Sequence, residues 1–143
     1  MDEFLGQFEH TIDDKGRLVL PSAFRPAFAE GGVVTFLGTY AALFTDAEWE
    51  KYWRRLELSG AFSRTQLQYT LSLTSPVTPD SQHRIGLSPQ LREVAGLERE
   101  VTAVGSQSHV ALYARSVWQD VKRQVESPDE SGRTMADAFA SLE

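Results

Sequence analysis

The feature that most restricts how this chain can fold is that it repeats itself, and a repeat fixes architecture before any local pattern does. The run Asp13-Asp14-Lys15-Gly16-Arg17-Leu18-Val19-Leu20 returns as Asp80-Ser81-Gln82-His83-Arg84-Ile85-Gly86-Leu87, an offset of 67 residues from Asp13 to Asp80. Without a gap, the same offset lays Phe24-Arg25 on Leu91-Arg92 and Val34-Thr35-Phe36-Leu37-Gly38 on Val101-Thr102-Ala103-Val104-Gly105. Two inserted residues then bring Ala42-Leu43-Phe44 onto Ala111-Leu112-Tyr113 and Trp49 onto Trp118. The 143 residues, one ordinary domain in length, are therefore two copies of one small unit that share a core. The boundaries read as a first repeat over 1–58, a helical connector over 59–76, a second repeat over 77–126 and an acidic tail over 127–143.

Each copy reads as strand, tight turn, strand, short helix, hairpin and closing helix, which makes the class α+β. Phe4, Phe8, His10 and Ile12 alternate over 4–12, Arg17–Pro21 resumes an extended pattern, and Asp14-Lys15-Gly16 between them predicts a hairpin loop whose Gly takes positive φ. Pro26 restricts Ser22–Glu30 to a short or irregular helix, whereas Ser88-Pro89 followed by Gly96 supplies an N-cap, an N1 proline and a helix stop. Val33–Leu37 with Ala41–Phe44, and Val101–Val104 with Val110–Tyr113, predict two further hairpins. Thr45 with Glu48 and Ser63 with Gln66 have capping-box spacing, opening helices to about Leu58 and Leu73. Trp49, Trp53 and Leu56, and in the second copy Trp118, Val121 and Val125, fall on single helical faces, expected to be core. Met135, Phe139 and Leu142 make one more apolar stripe, in a tail that frays or docks on a partner.

Composition narrows the function classes. With no cysteine there are no disulfides, thiolate nucleophiles or Cys-held metals, as expected of a cytoplasmic protein. The apolar runs are about one strand long, too short to cross a bilayer, and Met1-Asp2-Glu3 does not open a signal peptide. The expectation is a soluble protein without a membrane partner. The formal net charge of −6 argues against broad phosphate binding, yet residues 51–92 hold six basic side chains against two acidic ones, the acids gathering at the two ends. His10, His83 and His109 lack metal or catalytic spacing, and Gly31-Gly32 and Gly38 lack the strand–loop–helix context of a phosphate loop. The reading is non-enzymatic, with no cofactor and no small-molecule substrate.

The chemistry rests on the repeated Asp-x-x-x-Arg. In a turn, Asp accepts backbone N–H bonds while an Arg opening the return strand presents a planar fork. Two readings stay open: Arg17 and Arg84 pair with Asp13 and Asp80 and fix the turns, or the arginines reach outward to a ligand. Lys15 beside Arg17 on one projecting loop favours the second, since that pair suits phosphate or guanine. Arg54, Arg55 and Arg64 read as solvated faces or subunit contacts. The rival class is an oligomeric protein–protein interaction module without DNA binding, anchored by Trp49, Trp53 and Trp118.

Asp-Lys-Gly-Arg-Leu-x-Leu-Pro-x-x-Phe-Arg at 14–25, Phe4-Leu5-Gly6, and Arg84-Ile85 through Ala95-Gly96-Leu97 to Val104-Gly105 resemble the MraZ family over roughly residues 4–126. The resemblance implies two tandem pseudo-symmetric AbrB-like swapped-hairpin units with short helices, assembling as a ring-shaped homo-oligomer. It also implies a bacterial transcriptional regulator, typically a repressor of the division and cell wall gene cluster, which binds repeated short promoter elements in the cytoplasm at the nucleoid. Carried over residue by residue, DNA contact falls to Lys15 and Arg17, and in the second copy to Arg84. Asp13, Asp14, Gly16 and Asp80 shape the loops. Where the family's second copy usually has Gly before its Arg, this chain has His83, with Gln82 at the position of Lys15. That departure assigns the second loop mainly to packing or intersubunit contact.

Overall fold

The computed structural model describes residues 3–143; Met1 and Asp2 of the acidic start lie outside the described residues. The elements run in the order the repeat demands. The first copy contributes β1 (Gln7–Thr11), β2 (Arg17–Val19), a 3₁₀ helix (Ser22–Phe28), β3 (Gly32–Phe36), β4 (Ala41–Phe44) and α1 (Asp46–Ser59). After α2 (Arg64–Ser72), the second contributes β5 (Ser75–Val77), β6 (Arg84–Gly86), α3 (Pro89–Val94), β7 (Glu100–Gly105), β8 (Val110–Ala114) and α4 (Arg115–Glu126), with α5 (Met135–Ala140) in the tail.

The sheets show how the copies interlock. One six-stranded sheet has the order β1-β7-β8-β4-β3-β5, and β2 pairs with β6 in a separate two-stranded ribbon. Every ladder is antiparallel. The first strand of each copy is exchanged: β1 pairs with β7 of the second copy, and β5 pairs with β3 of the first. Repeat-equivalent residues meet at two places, Leu18 opposite Ile85 in the ribbon and Ala42 opposite Ala111 in the sheet. A pseudo-twofold axis passes through both pairs.

The exchange corrects the expected first hairpin. The turn forms, but β1 and β2 share only the isolated bridge Ile12–Leu18, after which β1 enters the sheet and β2 the ribbon. Strand pairing is satisfied in both cases by the other copy, so no backbone ladder is forfeited. The hairpins β3–β4 and β7–β8 form as the alternation predicts.

The core lies between ribbon and sheet. Leu18 and Ile85 point inward from the ribbon; Phe24 and Phe28 of the 3₁₀ helix and Leu91 of α3 close its flanks over Val34, Leu43, Val101 and Leu112. Phe4 stacks on Phe28 at 5.2 Å and meets Phe24 edge-on at 5.4 Å. The Ser88 side chain accepts the Leu91 N–H and Pro89 opens α3, as read from the sequence. At α1 the Thr45 hydroxyl accepts the Glu48 N–H, while the Glu48 carboxylate turns to Lys51 at 3.5 Å, so only half the capping box forms; at α2, Ser63 and Gln66 complete both halves.

The tryptophan faces are not core. No residue of α1 or α4 is fully buried. Trp49 and Trp118 rest half-buried against the two central strands, Trp49 on Phe44 of β4 at 5.6 Å and Trp118 on Tyr113 of β8 at 5.0 Å, with the Trp118 indole N–H donating to Gln7 Oε1. The helical stripe reports which side faces the protein; a sheet already covered by ribbon and short helices on its other face does not require that side to be sealed.

Candidate nucleic-acid interface

The ribbon β2–β6 alternates inward and outward, so Leu18 and Ile85 enter the core while Arg17, Val19, Arg84 and Gly86 share the outer face. At diagonal ends of this ribbon stand the two Asp-x-x-x-Arg turns, built alike. In the first, Gly16 N donates to Asp13 O at 3.0 Å and Asp13 N donates to Arg17 O at 2.9 Å. In the second, His83 N donates to Asp80 O at 2.9 Å and Asp80 N to Arg84 O at 3.0 Å. Such a turn places its fourth residue in the left-handed region; Gly16 has φ +76° and His83 φ +62°. His83 thus takes the glycine geometry, at the energetic cost a Cβ brings there.

Each Asp organises its own turn. One Asp13 oxygen accepts the Lys15 and Arg17 backbone N–H groups at 3.0 and 2.9 Å, and the other accepts Arg17 Nε at 2.8 Å. Asp80 does the same with Gln82 N, Arg84 N and Arg84 Nε at 2.9, 3.0 and 2.9 Å. These bonds, the arginine backbone N–H first, hold both carboxyls below the ordinary carboxylate range. Of the two readings open for the arginines, turn fixing is therefore realised in both copies, through Nε. It leaves the outer guanidinium edge available. Arg84 Nη1 lies 3.8 Å from Asp13 Oδ2, a contact across the copies, whereas the Arg17 Nη groups have no partner among the described residues. Arg17 is the less committed of the two forks. Lys15 and Asp14 are exposed at the tip of the first turn.

Two further arginines frame the surface, and the motif reading passed over them. Arg25 Nε donates to Leu20 O at 3.0 Å and Arg92 Nε to Leu87 O at 3.1 Å, equivalent bonds in the two copies. Each arginine lies beside the opposite copy's turn. Arg92 lies against Gly16, where a Cβ would come within 3.0 Å of its Cζ, and Arg25 lines one cleft with Asp80 and His83. Burial and then the Arg25 charge lower the His10 pKa. The signal was present, since Arg25 and Arg92 match at the repeat offset, but nothing local to either residue shows what it touches. In sum, Lys15, Arg17, Arg25, Arg84 and Arg92 gather about one ribbon with Asp13, Asp14 and Asp80, a locally basic face on a net-acidic chain.

Among the described residues no group of His, Asp or Glu has the arrangement of a metal site, and no helix is long and apolar enough to cross a membrane.

The chain matches the family described as "MraZ protein, putative antitoxin-like" twice, over residues 4–68 and 71–138. It is 38% identical over 122 residues to a protein of Clavibacter michiganensis subsp. michiganensis, covering 82% of this chain and 85% of that one. It is 36% identical over 143 residues to one of Thermomicrobium roseum, covering 97% and 99%, and 35% identical over 133 residues to one of Moorella thermoacetica, covering 90% and 92%. All three relatives bear the name Transcriptional regulator MraZ.

Proposed function

This chain belongs to the MraZ family, and from that premise we propose that it is a sequence-specific, DNA-binding transcriptional regulator that reads its operator with the ribbon face. The observation that carries this reading is the guanidinium of Arg17, oriented through Nε by Asp13 while its Nη edge stays open, beside the exposed Lys15. A two-stranded ribbon is one of the two elements that the major groove of B-DNA admits, and a held fork matches the paired acceptors of guanine. Lys15 contacts phosphate, and Arg84, drawn toward Asp13, contributes less. Asp13, Asp14, Gly16 and Asp80 keep the turns in shape.

One such face on a chain of net charge −6 binds weakly. Several faces on a homo-oligomeric ring, engaging spaced promoter repeats, gain through effective concentration instead of bulk charge. The proposed targets are the repeated elements ahead of the division and cell wall gene cluster, repressed by occupancy at the cytoplasmic nucleoid.

The test is a titration against the chain's own upstream promoter and a scrambled duplex at several salt concentrations. Arg17→Ala should abolish the preference for the promoter while the assembly persists, and Lys15→Ala should reduce the slope of log affinity against log salt by about 1. Unchanged promoter affinity in Arg17→Ala would remove that residue from the interface. Failure of the folded assembly to bind any duplex would leave the interaction-module reading.

A further inference from the structure

Of the apolar surfaces that this chain leaves uncovered, two complement each other. The first is the stripe Met135, Phe139 and Leu142, at i, i+4 and i+7, which is 49, 63 and 82% exposed. Met135 and Phe139 lie on α5, six residues long and closed at its start by a full capping box between Thr134 and Asp137, and Leu142 follows just beyond its end. A helix that short is marginal in water unless its apolar face packs on something. From Ser127 onward the tail carries four carboxylates, Asp129, Glu130, Asp137 and Glu143, against Arg133 alone.

The second surface is a groove beside α1 of about 400 Å³. Its floor is Phe44, Tyr52 and Leu58, the last 80% exposed, and its rim is Lys51, Arg54 and Arg55 with Glu48 and Ser108, three cations to one carboxylate. The rim is only loosely neutralised from within. Lys51 and Arg54 reach Glu48 and Glu50 at 3.5 Å, and Arg55 lies over the Tyr52 ring at 5.2 Å with no carboxylate partner among the described residues. An acidic segment with an apolar stripe fits a groove with an apolar floor and a basic rim.

We propose that α5 of one copy docks in the α1 groove of a second copy, with Phe139 on the Tyr52–Leu58 floor and the tail carboxylates along the Lys51–Arg55 rim. Within a single folded chain both surfaces stay open, so the occupant is a neighbour's α5. Donor and acceptor surfaces differ, which makes the contact head-to-tail, and a head-to-tail contact propagates around a ring or along a filament. The inference rests on the oligomeric reading above and supplies the joint that it lacks.

The absence of cysteine makes the test clean. Leu58→Cys and Phe139→Cys are made in separate full-length proteins of different tag length, mixed and oxidised, with Leu5→Cys replacing Phe139→Cys as the control and wild-type sedimentation measured alongside. The expected result is a mixed-size disulfide species at least fivefold above the control pair. An assembled wild type without that species overturns the docking and leaves the oligomer standing. A monomeric wild type overturns both. An intrachain bond in a dilute double variant, Leu58→Cys with Phe139→Cys, overturns it in favour of docking within one chain.

Discussion

Gly16→Ala isolates how the two copies brace each other at the turns. Gly16 has φ +76°, and a Cβ there would come within 3.0 Å of the Arg92 guanidinium. A Cβ in the left-handed region costs about 1 kcal/mol. Arg92 cannot withdraw freely, because its Nε donates to Leu87 O at 3.1 Å, and losing that bond costs about 1 kcal/mol more. The expected destabilisation is about 2 kcal/mol. With an unfolding entropy of about 2 cal/mol/K per residue, each kcal/mol lowers the midpoint of a chain this size by about 3 °C, so Gly16→Ala should melt about 6 °C low. Gly38 is the comparator, since it has φ +96° and no atom within 4 Å of an added Cβ. Gly38→Ala should therefore lose only the conformational share, about 3 °C by the same conversion. The assay is calorimetric melting at fixed protein concentration, because assembly makes midpoints concentration-dependent. In an Arg92→Ala background the cost of Gly16→Ala should fall by about 1 kcal/mol, the coupling of residues in contact. Equal losses for Gly16→Ala and Gly38→Ala, with zero coupling to Arg92, would refute the bracing.

Acid should act on both turns: the Asp13 and Asp80 carboxyls are lowered in the fold, so their contribution is complete above the unfolded carboxylate value near pH 4 and lost as pH falls through the lower folded values. Melting from pH 6 to 2.5 should show this loss, and Asp13→Asn with Asp80→Asn should flatten it; an unchanged acid slope in that double variant would contradict the assignment. His109, 9% exposed with Nε2 2.9 Å from the Tyr40 hydroxyl, is lowered by burial. Its folded form is favoured neutral, so stability is full above the unfolded value near 6.5 and declines as pH drops below it. Imidazole NMR should place its midpoint below 6.5, and a higher midpoint would reverse the sign. Leu18→Ala, beneath the ribbon opposite Ile85 and fully buried, should cost about 3 kcal/mol in chemical denaturation. A loss below about 1 kcal/mol would show that the ribbon is not seated on the core.

Much of the chain was legible in its sequence because the signals are local. Positive φ at Gly16, the caps at Thr45, Ser63 and Ser88, and the hairpins β3–β4 and β7–β8 each depend on residues a few positions apart. The Asp-x-x-x-Arg turns were equally legible, since the backbone N–H groups that each Asp carboxylate accepts are two and four residues away in its own turn. The repeat offset went further and marked Leu18 with Ile85, and Ala42 with Ala111, as equivalent positions before their pairing was known.

Only the tertiary structure decided which copy completes which strand. The two copies carry the same strand pattern, so β1 could pair with β3 or with β7 on alternation alone; the ribbon on the pseudo-axis carries each first strand across to the other copy. The same holds for Arg92 on Gly16 and for Arg84 reaching Asp13, residues more than 65 positions apart in sequence. It also decided that Trp49 and Trp118 rest half-buried, because a helix stripe shows a preferred side and not how much protein covers it. Sequence encodes the parts through short-range bonding and periodicity, and burial and cross-copy pairing arise only when both copies close on one core.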